Sequence, residues 1–121
     1  MNKATRKKYE DQGRRAERLA ALWLRLKAYR ILERRFKTPF GEIDIIATKG
    51  SILVIVEVKQ RPTLALAKEA LHRADLGRIE EAAHYYQAHR HKLAHKDIRY
   101  DAVYVGRGLK LKHEKDAWRE C

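Results

Sequence analysis

Between residues 11 and 28, apolar side chains recur at spacings of three and four, at Ala16, Leu19, Ala20, Trp23 and Leu26. That period predicts a helix with one apolar stripe, and with Trp23 in the core. Glu17 borders the stripe one turn before Ala20 and Ala21, while Arg14, Arg15, Arg18 and Arg25 cover the other faces. From residue 29 the period shortens. The string YRILERRF at 29–36 reads as a strand that carries charge near a sheet edge. TPFG at 38–41 is a turn signal, and 42–48 and 52–59 are strands joined by the tight turn KGS at 49–51. Apolar residues run almost without a break in these two strands, as in a sheet covered on both faces.

RPT at 61–63 closes the third strand. Residues 64–76 are rich in Ala and Leu, show no clean cap, and read as a loop with a short helical turn. A second helix is predicted over 77–93, a fourth strand over 98–105, a turn at GRG 106–108 and a short fifth strand over 109–113. Residues 114–119 read as a terminal helical turn. The predicted order is αβββαββ, a mixed α/β domain with a central sheet flanked by helices. Residues 1–9 are polar and basic and read as a flexible arm, which leaves 10–121 as a single domain of ordinary size.

Charge adds a partner to this picture. The net charge is +12, and residues 1–37 hold 13 Lys and Arg against 4 Asp and Glu. A basic half of this kind points to a polyanion, most often nucleic acid, although a merely basic surface has the same composition. Cys121 is the one cysteine, so no internal disulfide forms, which fits a reducing compartment. No signal peptide is visible, and no apolar stretch is long enough to span a bilayer. A cytoplasmic protein without a membrane partner is expected.

The chemistry concentrates in the two central strands. Asp44 sits in GEIDIIA at 41–47, and Glu57 and Lys59 in VEVK at 56–59, all inside runs that otherwise read as buried. Burying such charges costs several kcal/mol unless they are paired or bound to a cation. Side-chain alternation puts Glu57 and Lys59 on one face, and a hairpin can set Asp44 beside Glu57. Two carboxylates that close repel each other, and a divalent cation removes the conflict. Mg²⁺ takes one or two carboxylates and keeps several waters, and the carbonyl of Val58 could add a ligand. Lys59 could then orient a water or steady charge on a phosphate, a set that suits phosphodiester hydrolysis. A solvated strand end in which Glu57 simply pairs with Lys59 has the same spacing, so the spacing leaves both readings open.

The order of Asp44 and then Glu57-Val58-Lys59 resembles the PD-(D/E)xK motif of restriction-endonuclease-like nucleases. The fuller strings GEIDIIA and VEVKQR resemble the YraN-like family of small bacterial proteins, itself related to archaeal Holliday-junction resolvases. The likeness runs from about Gly13 to Trp118. It takes in Glu17, ILER at 31–34, RYD at 99–101, His113 and the pair Ala117-Trp118. The resemblance implies a single nuclease-like domain with a restriction-endonuclease-like sheet. It implies a metal-dependent endonuclease acting on DNA, including branched or structured DNA. Asp44 and Glu57 would hold Mg²⁺ or Mn²⁺, Lys59 would be the catalytic lysine, and Glu17 a further catalytic acid. A resolvase-like enzyme that cuts both strands further implies a homodimer. The alternative is a nucleic-acid-binding adaptor of the same fold that cuts weakly or not at all. The sequence departs from the motif at Ile43, where the nuclease motif has Pro, and at Gln60, where Thr is frequent. Around Asp75 and Leu76 it lacks a lysine that members often carry.

Other residues carry competing readings. Glu17 reads equally as a surface ion-pair partner of Arg14 or Arg18. Arg14, Arg34, Arg35, Lys37 and Arg61 are candidates to guide a phosphate backbone, or else a solvated basic edge. His91 and His95 stand four apart, but Lys92 replaces the Glu of a zinc helix, so a basic patch is the simpler reading. Asp101 reads as a buried hydrogen-bond acceptor rather than a fourth site acid.

Overall fold

The computed structural model describes residues 2–120. Its elements in chain order are α1 (Lys3–Leu26), β1 (Arg30–Thr38), β2 (Gly41–Lys49), β3 (Ile52–Gln60), α2 (Leu64–His72), α3 (Leu76–Ala88), β4 (Asp97–Val105) and β5 (Leu111–Trp118). Short 3₁₀ turns at His91–Leu93 and Arg107–Leu109 precede the last two strands. The five strands among the described residues form one sheet in sequence order. Neighbours are antiparallel except β3 and β4, which run parallel. A parallel pair needs a long crossover, and α2 and α3 supply it.

The sheet is covered on both faces, as the unbroken apolar runs predicted. Ala16, Ala20, Ala21 and Leu24 of α1 pack on Ile45, Val54, Val56 and Val103. On the other side Ile79, Ala83 and Tyr86 of α3 pack on Ile46, Leu53 and Ile55, while Ala67 and Leu71 of α2 cover Ala102 and Tyr104. Three of these four sheet-facing positions of α1 are alanines, which leaves room for the helix to pack low on the strands.

Several sequence expectations need correction. The apolar stripe of α1 is rotated: its buried residues are Ala16, Glu17, Ala20, Ala21 and Leu24. Trp23 is 40% exposed and Leu26 is 72% exposed, so Trp23 is not a core residue. The helix starts at Lys3, capped by the Asn2 side chain accepting from the Thr5 N–H at 2.8 Å. The segment predicted as a flexible arm is therefore helical over its described length from Lys3. Residues 64–72 form a full helix, giving the order αβββααββ. Its missed cap is Thr63, whose hydroxyl accepts from the Leu66 N–H at 3.1 Å. The α3 helix stops at Ala88, so His91 and His95 do not share a helical face. β5 runs on to Trp118 where a helical turn was predicted, because Trp118 stacks on Tyr100 at 5.1 Å and donates to Glu80 at 3.0 Å. Cys121 lies outside the described residues.

Candidate active site

The ladder between β2 and β3 ends at the pair Ile45 and Val56. Beyond it the two strands part, and side chains take over the hydrogen bonds that the ladder would have made. The Asp44 carboxylate accepts from the Val58 N–H at 2.8 Å, and the Glu57 carboxylate accepts from the Asp44 N–H at 3.4 Å. Strand alternation breaks at the same place. Ile43 and Ile46 share the cluster under α3 although three residues apart, which strict alternation forbids. Opposite Asp44, Arg35 adopts φ 53°, a left-handed conformation that costs a non-glycine residue roughly 1 kcal/mol.

This break opens a cleft of about 830 Å³ that α1 closes from one side. Glu17, Asp44, Glu57, Val58, Lys59 and Arg61 all line it. Glu17 is only 7% exposed and Glu57 5%, while Asp44 is half-buried. The Glu17 carboxyl is split between two environments. Its Oε2 meets Arg35 Nε at 3.3 Å, and its Oε1 is buried with no hydrogen-bond partner among the described residues. Arg35 also meets Glu42 at 3.4 Å, which accounts for Glu42 as a rim charge.

The electrostatics follow from this crowding. The Glu17 carboxyl is pushed up to about 7, by burial first and by the nearby Asp44 carboxylate second, against the pull of Arg35. Burial also raises Asp44, opposed by the Val58 N–H and by Lys59. Glu57 is raised well above its ordinary range, by burial and then by Asp44. Three acids thus resist ionising together, a state that an added positive charge relieves.

The donor set is all oxygen. In an extended strand the N–H and C=O of one residue point to the same edge. The Val58 N–H points at Asp44, and the Arg61 N–H bonds Val105 on the β4 side. The Val58 carbonyl therefore faces the cleft with the two carboxylates. Among the described residues no three His, Cys, Asp or Glu side chains form a ready-made metal cage. Two carboxylates, one carbonyl and an orphaned carboxylate oxygen fit a hard divalent cation that keeps part of its water shell. They do not fit a structural zinc site.

Of the predicted phosphate-guiding residues, Arg61 lines the cleft and Arg35 touches its acids. Arg34 is exposed and near enough to Glu17 to draw its carboxyl down. Arg14 and Lys37 are exposed and do not line the cleft. The residues that sequence reasoning missed are Lys8, Tyr9, Gln12 and Arg107. Lys8 and Tyr9 reach the cleft because α1 begins at Lys3, farther toward the N-terminus than its apolar period showed, while Glu17 faces it because the buried face of the helix is rotated. Arg107 comes from the turn after β4, and nothing local in the glycine-flanked string 106–108 marks it.

Asp101 is no part of this set. It is fully buried and accepts from Arg99, from His113 Nε2 at 2.8 Å and from the Asp116 N–H at 3.0 Å. Burial pushes its carboxyl up, but those donors outweigh burial and hold it below the ordinary carboxylate value. Lys27 donates to His113 Nδ1 at 2.6 Å, which fixes the ring proton on Nε2.

Comparison with known proteins agrees with the residue strings. Residues 16–105 match the model of "Uncharacterised protein family UPF0102". The chain is 45% identical over 106 residues to the UPF0102 protein of Caulobacter vibrioides (strain NA1000 / CB15N), covering 88% of this chain and 85% of that one. It is 43% identical over 113 residues to a UPF0102 protein of Maricaulis maris, covering 93% and 89%. To the UPF0102 protein of Chelativorans sp. (strain BNC1) it is 48% identical over 101 residues, covering 84% and 82%. The matched span runs from the buried face of α1 through the last residue of β4 and so contains Glu17, Asp44, Glu57 and Lys59; with relatives this similar over this much of the chain, the protein belongs to the UPF0102 family.

Proposed function

We propose that this protein is a metal-dependent endonuclease that hydrolyses phosphodiester bonds in DNA. The observation that carries the reading is the cleft where β2 and β3 part, with Asp44, Glu57 and the orphaned oxygen of Glu17 beside Lys59. A structural ion pair does not account for that arrangement. Glu17 does pair with Arg35, but Asp44, Glu57 and Lys59 make no ion pair within 4.0 Å among the described residues, and the nearby Asp44 carboxylate pushes the Glu57 carboxyl up.

Asp44, Glu57 and the Val58 carbonyl would hold Mg²⁺ or Mn²⁺. Bound there, such an ion lowers the pKa of a coordinated water and offsets negative charge on a phosphate. The protein's own groups do the rest. The Val58 N–H fixes one oxygen of Asp44, so its other oxygen is the one presented to the cleft. Lys59 sits beside both acids and steadies negative charge on the scissile phosphate. Glu17 lines the same cleft with one oxygen unpartnered among the described residues, and would accept a proton from an attacking water. Arg61 and Arg107 on the cleft wall would take flanking phosphates.

The test is incubation of pure protein with linear, single-stranded and four-way-junction DNA in Mg²⁺ or Mn²⁺. Cleavage by the wild type that is lost in Asp44→Asn and in Lys59→Ala supports the reading. Cleavage that persists in Asp44→Asn traces to a contaminant and sinks the proposed site.

A further inference from the structure

A second concavity adjoins the cleft. It is a groove of about 440 Å³ between α1 and the turn after β4, and it shares Gln12, Ala16, Gln60 and Arg107 with the cleft. Its floor is apolar, made by Leu19, Leu22 and Leu109, and its rim is cationic, made by Arg15, Arg18 and Arg107. Leu22 is 52% exposed and Leu109 75% exposed, so neither is spent on the core. Leu109 also sits at φ 63°, next to Gly108 at φ 64°. A left-handed leucine held out in solvent is disfavoured by its backbone as well as by its hydration.

The charge decides which occupant fits. A second copy of a chain with net charge +12 would bring cations onto a rim that already carries three arginines. A nucleotide presents a flat, largely apolar base beside an anionic phosphate, which matches an apolar floor inside a cationic rim. A continuous duplex keeps its bases stacked inside and offers none to the floor. Resting on the nuclease reading of the adjoining cleft, we infer that this groove seats one unpaired nucleotide next to the cleavage point. The preferred substrate is then nucleic acid with a single-stranded segment at that point, rather than unbroken duplex.

The experiment measures binding in EDTA, where no cleavage occurs, to a blunt duplex and to the same duplex carrying a short gap. The gapped DNA is expected to bind about five- to tenfold tighter, the scale of partly burying the exposed apolar surface of Leu22 and Leu109. Leu22→Ser and Leu109→Ser, which remove exposed apolar surface without adding charge, should each abolish that preference and leave the blunt duplex bound as before. Equal binding of the two DNAs, or a preference that survives both substitutions, overturns the inference. So does a dimer in sedimentation that Leu22→Ser breaks apart, since a second copy then owns the groove. The two readings fail separately. A protein that prefers gapped DNA in EDTA but never cuts in Mn²⁺ keeps the groove and loses the nuclease, and one that cuts without preference does the reverse.

Discussion

Glu17 is the residue on which the site turns, because it places a third carboxyl on a buried helix face. In the folded protein its carboxyl titrates near 7, above the ordinary value of 4.5. Between those values the folded state holds a proton that the unfolded state has lost, so stability falls as pH rises through the window and levels off above it. Glu17→Gln should therefore raise the melting temperature in metal-free buffer at pH 8, by a gain of about 1–3 kcal/mol, and change little at pH 4. An equal shift at both pH values would show that burial does not hold the proton. Asp101 has the opposite sign. Its depressed carboxyl stabilises the fold above the ordinary carboxylate range, and that contribution fades as pH falls through its folded value. Asp101→Asn removes the buried charge and turns one of the two oxygens that Arg99 and His113 share into a donor, and should cost about 3 kcal/mol in urea unfolding at pH 7. Thermal shift with Mn²⁺ separates the cleft acids from Asp101: the shift should vanish in Asp44→Asn combined with Glu57→Gln and persist in Asp101→Asn.

At the scale of elements, α1 sets how far Glu17 reaches. Ala16, Ala20 and Ala21 are all buried, and a larger side chain there would lift the helix from the sheet. Ala20→Leu should destabilise by about 1–3 kcal/mol. Because it also withdraws Glu17, it should lower cleavage more than a surface substitution of equal stability cost, which a comparison at matched melting temperature would reveal. The apolar period of α1 was legible in sequence, but its phase was not. Trp23 and Leu26 are hydrophobic enough to claim the stripe, yet the narrow space over the sheet admits alanines, and the helix turned by about one residue. That rotation takes Trp23 out of the core and brings Glu17 in. The second helix is hard to see in sequence for a different reason: its cap, Thr63, stands directly behind Pro62, where the string reads as the end of a strand.

At the scale of the molecule, the positive charge surrounds a cleft whose floor is acidic. On the proposed reading a polyanion bound there would release counterions, so DNA affinity should fall steeply between low and moderate salt, on the order of tenfold or more. A flat salt response would remove the polyanion from the reading of this fold. Among the described residues no helix is long and apolar enough to cross a membrane.

The sequence by itself determined the sheet's double covering, the hairpin and the residues Asp44, Glu57 and Lys59, because alternation and buried charge are local patterns that neighbouring residues carry. Only the tertiary structure decided how those residues meet. The cleft exists because the β2–β3 ladder stops at Ile45 and Val56 and because a helix from the start of the chain lies over the gap. Side-chain parity could bring Asp44 near Glu57, but it could not say that the strands part there. Nor could it say that Glu17 would be left with one oxygen unpartnered, since that depends on packing between segments far apart in the chain.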